Sequence, residues 1–367
     1  MRNFNYLNYK INKVIHKVTY SNISSNVLKK DIQEIKNNPN ILFIYDKNIN
    51  RSIVKKIKKS LNSLKNKNFT IEVSGGKENK DKELLFRIIN FMSKKEFTKN
   101  SIILSMGGGV VGDVASFAAA IYMRGVYYFH IPSTMTSIFD SCIGGKTAIN
   151  YHNKINLLGT YYHPYRVYLF HDIIKTTPER EYYSGFSEAI KCGIIGEKKI
   201  LKILNKNYSE IENRNFGLLK ILCKLVLKTK IYYFLNDVRE KNKRLILNFG
   251  HTFAHAIEMA GSLKNKYQIN HGEAVAIGMI CEMKYAGVNE KYLQYIKDIL
   301  ATYNLPSKAR LKKSKNYFLN RTYNYLFADK KRISKFPRYI KINKQFKPEI
   351  DELKNIKKIK KVLKQII

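Results

Sequence analysis

Three separated segments carry side chains that can hold a metal ion or move a proton. In "SGFSEAIKCG", Glu188 has Lys191 three positions on, hence on the same face of a helix. "LNFGHTFAHAIE" sets His251 and His255 at i and i+4, a pair able to converge on one ion, with Glu258 one turn further. "NHGEAVAIG" holds His271 two residues before Glu273. A catalytic zinc uses three protein ligands and an open position, and two histidines with one carboxylate form a documented set. Spacing alone does not choose among Glu188, Glu258, Glu273 and the three histidines. Each histidine taken singly reads equally well as a packed core residue.

A second stretch suits an anion. "ILSMGGGVVGDVASFAAA", starting at Ile103, reads as strand, glycine turn and helix. Gly107, Gly109 and Gly112 keep the G-x-G-x-x-G spacing, and Gly108 lies within it. Glycine admits positive φ and has no Cβ to hold a phosphate away. The helix N-terminus behind the turn offers free amides. The acid expected ~20 residues downstream to hold a ribose is missing, since Gly125 to His130 contain none. Upstream, the apolar run Ile41 to Tyr45 ends in Asp46 with Asn48 beyond, a carboxylate at the carboxyl end of a strand. The plainer alternative is a glycine turn that only packs a helix on a sheet.

A third set is cationic. Arg124 follows the glycine-loop helix. "DSCIGGKTAIN" brings Asp140, Lys146 and Asn150, and Lys230, Arg244 and Asn248 precede His251. Cations near a metal and a dinucleotide suit a substrate bearing carboxylate and phosphate. Any single lysine in so basic a chain reads as well as a surface charge.

The elements that must position these residues change character along the chain. Strands are expected at Ile41–Tyr45, Phe69–Val73, Ser101–Leu104, Tyr127–Ile131 and Arg166–Phe170, alternating with helices at Ile53–Leu64, Lys82–Ser93 and Val114–Ile121. Such alternation implies a mostly parallel sheet with helices on its faces. Beyond this the period is helical, with "TTPERE" as a helix start: Thr177 can cap and Pro178 suits the first position. The expected division is 1–174, an α/β domain, and 175–367, a helical domain. The tail "KNIKKIKKVLKQII" reads as a packed amphipathic helix with a solvated lysine face.

Composition bounds the partners. The 367 residues are 44% hydrophobic, enough for substantial cores. The net charge of +39 raises the question of nucleic acid. However, the lysines are spread through the whole chain with many Asn, Ile and Tyr and no Trp, as an AT-rich genome favours. No specific nucleic-acid signature is present. No apolar run spans a bilayer, no signal-peptide core opens the chain, and the four cysteines form no C-x-x-C pair. The expectation is a cytoplasmic protein with no membrane partner.

Five strings taken together, "GGGVVGDVASFAAAIYMRG", "DSCIGGKTAIN", "KTTPEREYYSGFSEAIKCG", "RLILNFGHTFAHAIE" and "HGEAVAIGM", resemble the 3-dehydroquinate synthases, in that family's order. The resemblance implies an N-terminal Rossmann-like nucleotide-binding α/β domain and a mainly α-helical C-terminal metal-binding domain. It implies conversion of 3-deoxy-D-arabino-heptulosonate 7-phosphate to 3-dehydroquinate and phosphate, a shikimate-pathway step. The course would be transient oxidation by NAD, β-elimination of phosphate, reduction, ring opening and aldol closure. It implies NAD and Zn2+ (or Co2+) as cofactors, a sugar phosphate substrate and a homodimer. Glu188, His251 and His271 match the metal ligands, which displaces His255 from the i, i+4 pair to a role beside the metal or on the substrate phosphate. Arg124, Asp140, Lys146, Asn156, Lys191, Lys230, Arg244, Asn248, His255 and Lys330 match substrate-site positions. Asp46, Asn48, Lys80, Gly107, Gly108, Gly109, Asp113, Ser133, Thr134 and Thr176 match NAD-site positions. Two departures stand out: Ile155 occupies a lysine position in "NKINLLG", with Lys154 one residue early, and Lys77 replaces a glutamate in "GKENK". The rival readings are a sister cyclase acting on another sugar phosphate, a metal-dependent alcohol dehydrogenase that accumulates NADH, and a degraded, non-catalytic relative.

Overall fold

Strands rich in Ile, Leu and Phe build the centre of a seven-stranded sheet. In a computed structural model that describes residues 6–35, 38–152, 154–261, 269–309, 315–328 and 336–366, the chain divides into two compact units, Met1–Tyr182 and Tyr183–Ile367. The sequence placed the change of character at 174/175.

The first unit opens with a hairpin, β1 (Tyr6–Ile11) and β2 (Val14–Ser21). Its two turn residues, Asn12 and Lys13, both have positive φ, as two-residue hairpin turns require. Then follow α1 (Ser25–Gln33), β3 (Ile41–Asp46), α2 (Arg51–Asn62), β4 (Asn68–Val73), α3 (Lys82–Lys94), β5 (Ile102–Gly107), α4 (Gly109–Ile121) and β6 (Tyr127–Pro132). A second hairpin, β7 (Lys146–Tyr151) and β8 (Lys154–Tyr161), precedes β9 (Arg166–Phe170), α5 (His171–Thr176) and α6 (Glu179–Ser184). The main sheet runs β1-β2-β9-β6-β5-β3-β4, parallel except for β1 on β2.

Strand β3 shows why the sheet needs helices on both faces. Its Ile41, Phe43 and Tyr45 pack with Ile32, Ile53 and Ile57 of α1 and α2. Its Leu42 and Ile44 pack with Leu85 and Ile88 of α3 and Val114 and Ala118 of α4. Alternate residues face opposite sides, so a strand covered on both is apolar throughout. The chain steps from β3 to β4 on one side and to β5 on the other. The strand order therefore reverses between β3 and β5, where open α/β sheets bind ligands at their carboxyl ends. Asp46 ends β3 and Gly107 ends β5.

The five expected strands and three expected helices all form, Arg166–Phe170 with the expected bounds and the others with shifted ends. The largest shift is in α4, which begins at Gly109 instead of Val114 because Gly109 and Gly112 lie inside its first turns. Neither hairpin was expected, because both are short and lack a Gly-containing turn.

The second unit contains α7 (Phe186–Ile195), α8 (Lys198–Lys206), α9 (Tyr208–Glu212), α10 (Phe216–Phe234), α11 (His251–Gly261), α12 (His271–Ala286), α13 (Glu290–Thr302) and α14 (Lys315–Ala328). A hairpin, β10 (Arg338–Ile342) with β11 (Pro348–Glu352), interrupts the helices before α15 (Ile356–Ile366). Every residue of α7 is buried, so it forms the centre of this unit. Helices α11 and α12 meet where side chains are absent. A Cβ on Gly278 would lie 2.0 Å from the Gly250 carbonyl oxygen, and Gly250 itself has φ +82°. As expected, α15 buries Ile359, Val362, Leu363 and Ile366 and exposes its lysines. Thr177 donates its hydroxyl back to the Ile173 carbonyl at 3.1 Å, closing α5. Among the described residues no helix is long and apolar enough to cross a membrane.

A candidate metal centre and a nucleotide loop

Three helix beginnings converge in the second unit. Glu188 lies in the first turn of α7, His251 is the first residue of α11 and His271 the first of α12. One ligand atom from each lies within 4.8 Å of the others. Glu188 Oε1 is 3.7 Å from His251 Nε2 and 3.5 Å from His271 Nε2. Of the acids and histidines that spacing left open, these three come together. His255 packs edge-on against His251, ring centres 5.5 Å apart, and stays outside the triad. Glu273 instead closes a capping box with Asn270 at the start of α12. Glu258 sets Oε2 3.4 Å from His271 Nδ1.

The backbone explains the placement. Gly250 adopts its left-handed conformation against Met279, where a Cβ would be 2.7 Å from that side chain's Cγ. The chain thereby turns so that His251 opens α11. The Ser184 hydroxyl donates to Asn270 at 2.9 Å, and Gly272 lies so close to Ser184 that a Cβ would be 1.9 Å from its carbonyl oxygen. These contacts fix the start of α12 beside the segment that leads into Glu188.

The electrostatics suit a cation held by neutral nitrogens and carboxylate. Glu188 and Lys191 form an ion pair with both side chains inside, 0% and 1% exposed. Burial pushes the His251 imidazolium down to about 3, helped by the charge on Lys191. For His271 burial acts in the same direction, but Glu188 and Glu258 outweigh it and lift the group to about 10. A metal binding here would have to displace a proton from His271. The donor set, one carboxylate and two imidazoles, is that of a zinc-type site.

The motifs marked further cations in this unit. Lys230 on α10 and Arg244 are buried. Arg244 donates to the Val238 carbonyl at 2.7 Å, and Asp237 accepts the amides of Lys241, Asn242 and Arg244, folding that loop. Asn248 donates to Glu240 at 2.9 Å. Sequence reasoning gave Glu240 no role. Its signal, a lone acid among "VREKNKR", is lost among the surrounding charges. Lys330 lies outside the described residues.

In the first unit the glycine loop works by close approach, not by positive φ. None of Gly107, Gly108 and Gly109 is left-handed, which corrects that part of the expectation. A Cβ on Gly107 would sit 2.5 Å from Val111 Cβ, and one on Gly108 would sit 3.2 Å from Thr134. The α4 amides from Gly109 to Val111 precede the first helical bond, which Gly112 makes to Gly108, and are free for an anion. Below them a polar chain that the sequence did not reveal supports the loop. Ser105 bonds Tyr128 at 2.9 Å and His130 at 2.8 Å, and the Tyr128 hydroxyl donates to the Gly112 carbonyl. Burial pushes His130 down to about 3, so it is neutral. Ser133 donates its amide to Gly107, and the Thr134 hydroxyl accepts the Ser137 amide. Thr176 is exposed, and its hydroxyl donates back to the Ile173 carbonyl at 3.0 Å.

Asp46 accepts the Asn48 amide at 3.0 Å, and Gly75 passes so close that a Cβ would be 2.0 Å from its carboxylate. Lys80 pairs with Asp113 and donates to Asn156 at 2.5 Å. Burial raises Asp113 against the pull of Lys80, and Asp140 and Lys146 are near enough to act on it. Asn150 accepts the Asn156 amide and donates its own to Lys80, tying this group together. Arg124 is exposed in a left-handed turn of Met123, Arg124 and Gly125. Lys154 is exposed at the start of β8.

The comparisons with known proteins define first a fold. The chain superposes on 2-deoxy-scyllo-inosose synthase, solved with carbaglucose-6-phosphate, NAD+ and Co2+, with a TM-score of 0.86 at 23% identity, over 99% of this chain and 100% of the other. It superposes on 2-epi-5-epi-valiolone synthase from Streptomyces hygroscopicus subsp. jinggangensis, solved with NAD+ and Zn2+, with a TM-score of 0.82 at 19% identity, over 98% of each chain. The sequence then narrows the class. Residues 70–184 match the 3-dehydroquinate synthase N-terminal family, and residues 185–332 match the 3-dehydroquinate synthase C-terminal family. The 3-dehydroquinate synthase of Dictyoglomus turgidum is 35% identical over 347 residues, 94% of either chain. The chain belongs to the 3-dehydroquinate synthase family.

Proposed function

We propose that the protein is a 3-dehydroquinate synthase. It converts 3-deoxy-D-arabino-heptulosonate 7-phosphate to 3-dehydroquinate and phosphate, with NAD and a divalent metal, zinc or cobalt. The observation that carries this reading is the convergence of Glu188, His251 and His271 from three helix starts, beside the buried Lys191, in a chain of that family.

NAD and the metal, when bound, supply reversible hydride acceptance and polarisation of a substrate hydroxyl. Glu188, His251 and His271 would hold the metal. Glu258 keeps His271 oriented by taking its Nδ1 proton in a hydrogen bond. Lys191 places a fixed positive charge where a substrate oxygen gains negative charge. His255, Lys230, Arg244 and Asn248 bind the anionic groups of the substrate and spread charge as phosphate leaves. In the first unit the free amides of α4 take the pyrophosphate and Asp46 takes a ribose hydroxyl. Asn48, Lys80, Asp113, Ser133, Thr134 and Thr176 line that nucleotide site. Arg124, Asp140, Lys146 and Asn156 are assigned to substrate, as is Lys330.

The chain is further assigned to the cytoplasm, which the four buried cysteines, none of them in a disulfide, support, and to a homodimer. The test is phosphate release from the heptulosonate 7-phosphate with catalytic NAD, before and after chelation. Release that needs both cofactors, yields dehydroquinate and leaves no net NADH is expected. No release from folded, zinc-loaded protein overturns the reading.

A further inference from the structure

The first amides of a helix have no acceptor within it and must find one elsewhere. At the start of α11 the preceding residue, Gly250, has φ +82° and no side chain to offer them. The group that meets them comes from α12. Gly278 and Glu282, at i and i+4, share the face of α12 that packs on this start. Gly278 lets the Gly250 carbonyl approach, where a Cβ would be 2.0 Å away. Glu282 brings its carboxyl group to the amides of Gly250 and Thr252, on either side of His251. It is 0% exposed, and one of its oxygens also takes the Ile340 amide at 3.1 Å. On the same strand, β10, the Arg338 carbonyl accepts the Thr252 hydroxyl at 2.8 Å. One buried carboxyl group thus ties α12 and β10 to the start of α11.

The His251 ring hangs on the same stretch of backbone. Its Nδ1 lies 3.2 Å from the Phe249 carbonyl oxygen. A carbonyl only accepts, so Nδ1 carries the hydrogen of the neutral ring. Nε2, which faces Glu188 Oε1 at 3.7 Å, then keeps its lone pair. The Phe249 carbonyl and the Gly250 amide belong to one peptide unit, and in a trans peptide the two point in opposite directions. This peptide therefore has His251 at one end and Glu282 at the other. Hydrogen bonds in such a chain polarise one another. A ligating histidine is oriented, and made more basic, by the group its second nitrogen donates to. An apolar side chain in the place of Glu282 would avoid the cost of burying a carboxyl group, but it would leave these amides without an acceptor.

We propose that Glu282 is a positioning residue of the metal centre. By accepting the Gly250 and Thr252 amides it holds the Phe249–Gly250 peptide so that His251 keeps its hydrogen on Nδ1 and turns Nε2 to the metal. The proposal rests on the reading of Glu188, His251 and His271 as metal ligands and adds what fixes one of them.

The test uses the full chain, stripped of metal and titrated with zinc against a chromophoric chelator, as wild type, Glu282→Leu and Glu282→Gln. Leucine fills the space and accepts nothing; glutamine keeps the shape and one acceptor oxygen. Zinc affinity should fall about 10–100-fold in the leucine variant and stay within about threefold in the glutamine variant. The visible absorption bands of the Co2+-loaded leucine variant should shift, because His251 no longer sits in its place. A merely structural Glu282 would lower the unfolding temperature of the leucine variant and leave the zinc affinity and Co2+ bands of its folded form as in wild type. That result overturns the proposal, as does a glutamine variant as weak as the leucine one. Nitrogen-15 spectra and hydrogen exchange of the unaltered, zinc-loaded chain need no variant to fold. His251 should hold its hydrogen on Nδ1 and zinc on Nε2, and the Gly250 amide should exchange slowly. Zinc on Nδ1, or a Gly250 amide exchanging like an exposed one, overturns the proposal. Wild type that binds no zinc overturns the metal reading with it, whereas zinc binding indifferent to Glu282 leaves that reading standing.

Discussion

Removing the charge of Glu258 separates proton competition from metal attraction at the centre. In the metal-free protein His271 stands between Glu188 Oε1 at 3.5 Å and Glu258 Oε2 at 3.4 Å. Burial alone would discharge it, yet the two carboxylates lift it to about 10. At pH 7.5 a metal must displace that proton at a cost of about 2.5 pH units, roughly 300-fold in affinity or ~3.4 kcal/mol. Apparent affinity for zinc should therefore climb close to tenfold per pH unit from pH 7 and level off near pH 10, with about one proton released per ion. Glu258→Gln keeps the shape of the side chain and removes its charge. The plateau affinity should fall 10–100-fold, because a carboxylate behind a ligating imidazole raises its basicity. The levelling-off point should also move to lower pH, so the two curves converge towards neutrality. Competition against a chromophoric chelator across pH 6.5–10, with proton release read in two buffers, measures both. Wild-type affinity that is flat from pH 7 to 9 with no proton released would refute the picture of a charged His271 between two carboxylates. The sign carries over to stability. A folded pKa raised above 6.5 stabilises the metal-free protein fully below about pH 6.5, and that share is lost as pH rises through about 10.

Three further outcomes follow from packing and charge elsewhere in the molecule. Gly278→Ala should destabilise the unit by about 1–3 kcal/mol or more, because its Cβ would lie 2.0 Å from the Gly250 oxygen; thermal unfolding and metal retention read the loss together. Glu282 on α12 is fully buried, accepts the Ile340 amide at 3.1 Å, and is pushed by burial up to about 8. Its stabilising share is present below about pH 4.5 and lost as pH rises through about 8. Glu282→Gln should then gain on the order of 2–4 kcal/mol relative to wild type between pH 5 and 9, and parallel denaturant curves across that range would expose the idea as wrong. Lys154→Ala should leave activity unchanged, since Lys154 is exposed at the tip of β8; a large fall in turnover would show that it replaces the lysine absent at Ile155.

The sequence was most legible where periodicity and chemistry coincide. Strand β3 reads as a buried strand because both faces are apolar, and the helix behind Gly107 reads as one because its residues are small. What stayed hidden depends on pairs far apart in the chain. Choosing His271 over His255 needs the crossing of α11 and α12 at Gly250 and Gly278, and no local pattern encodes which helix starts meet. The hairpin β7–β8 escaped because its outer strand lacks the alternation that burial of one face would impose. The support of the glycine loop by Ser105, Tyr128 and His130 is equally silent, since each of those residues is ordinary in a strand.

The Glu188–Lys191 pair gives the site its last constraint. All three proposed metal donors sit in the first turns of their helices, where the backbone presents a partial positive charge. Lys191 adds a full one inside the protein. A cation is retained there only because carboxylate charge outweighs these terms, and Glu188 supplies it at the donor position. Glu188→Gln still offers an oxygen, but it leaves Lys191 buried without its counter-charge, a loss of about 3–5 kcal/mol. The single variant should lose both metal and stability. Adding Lys191→Met should restore much of the stability, because an apolar side chain replaces the stranded charge, and should restore none of the metal. Thermal unfolding and metal content measured on the two proteins separate the roles. A single variant as stable as wild type would mean that Lys191 finds another partner and that the pair is not what holds α7 closed. A double variant that regains metal would mean that His251 and His271 suffice, and Glu188 would lose its place among the ligands.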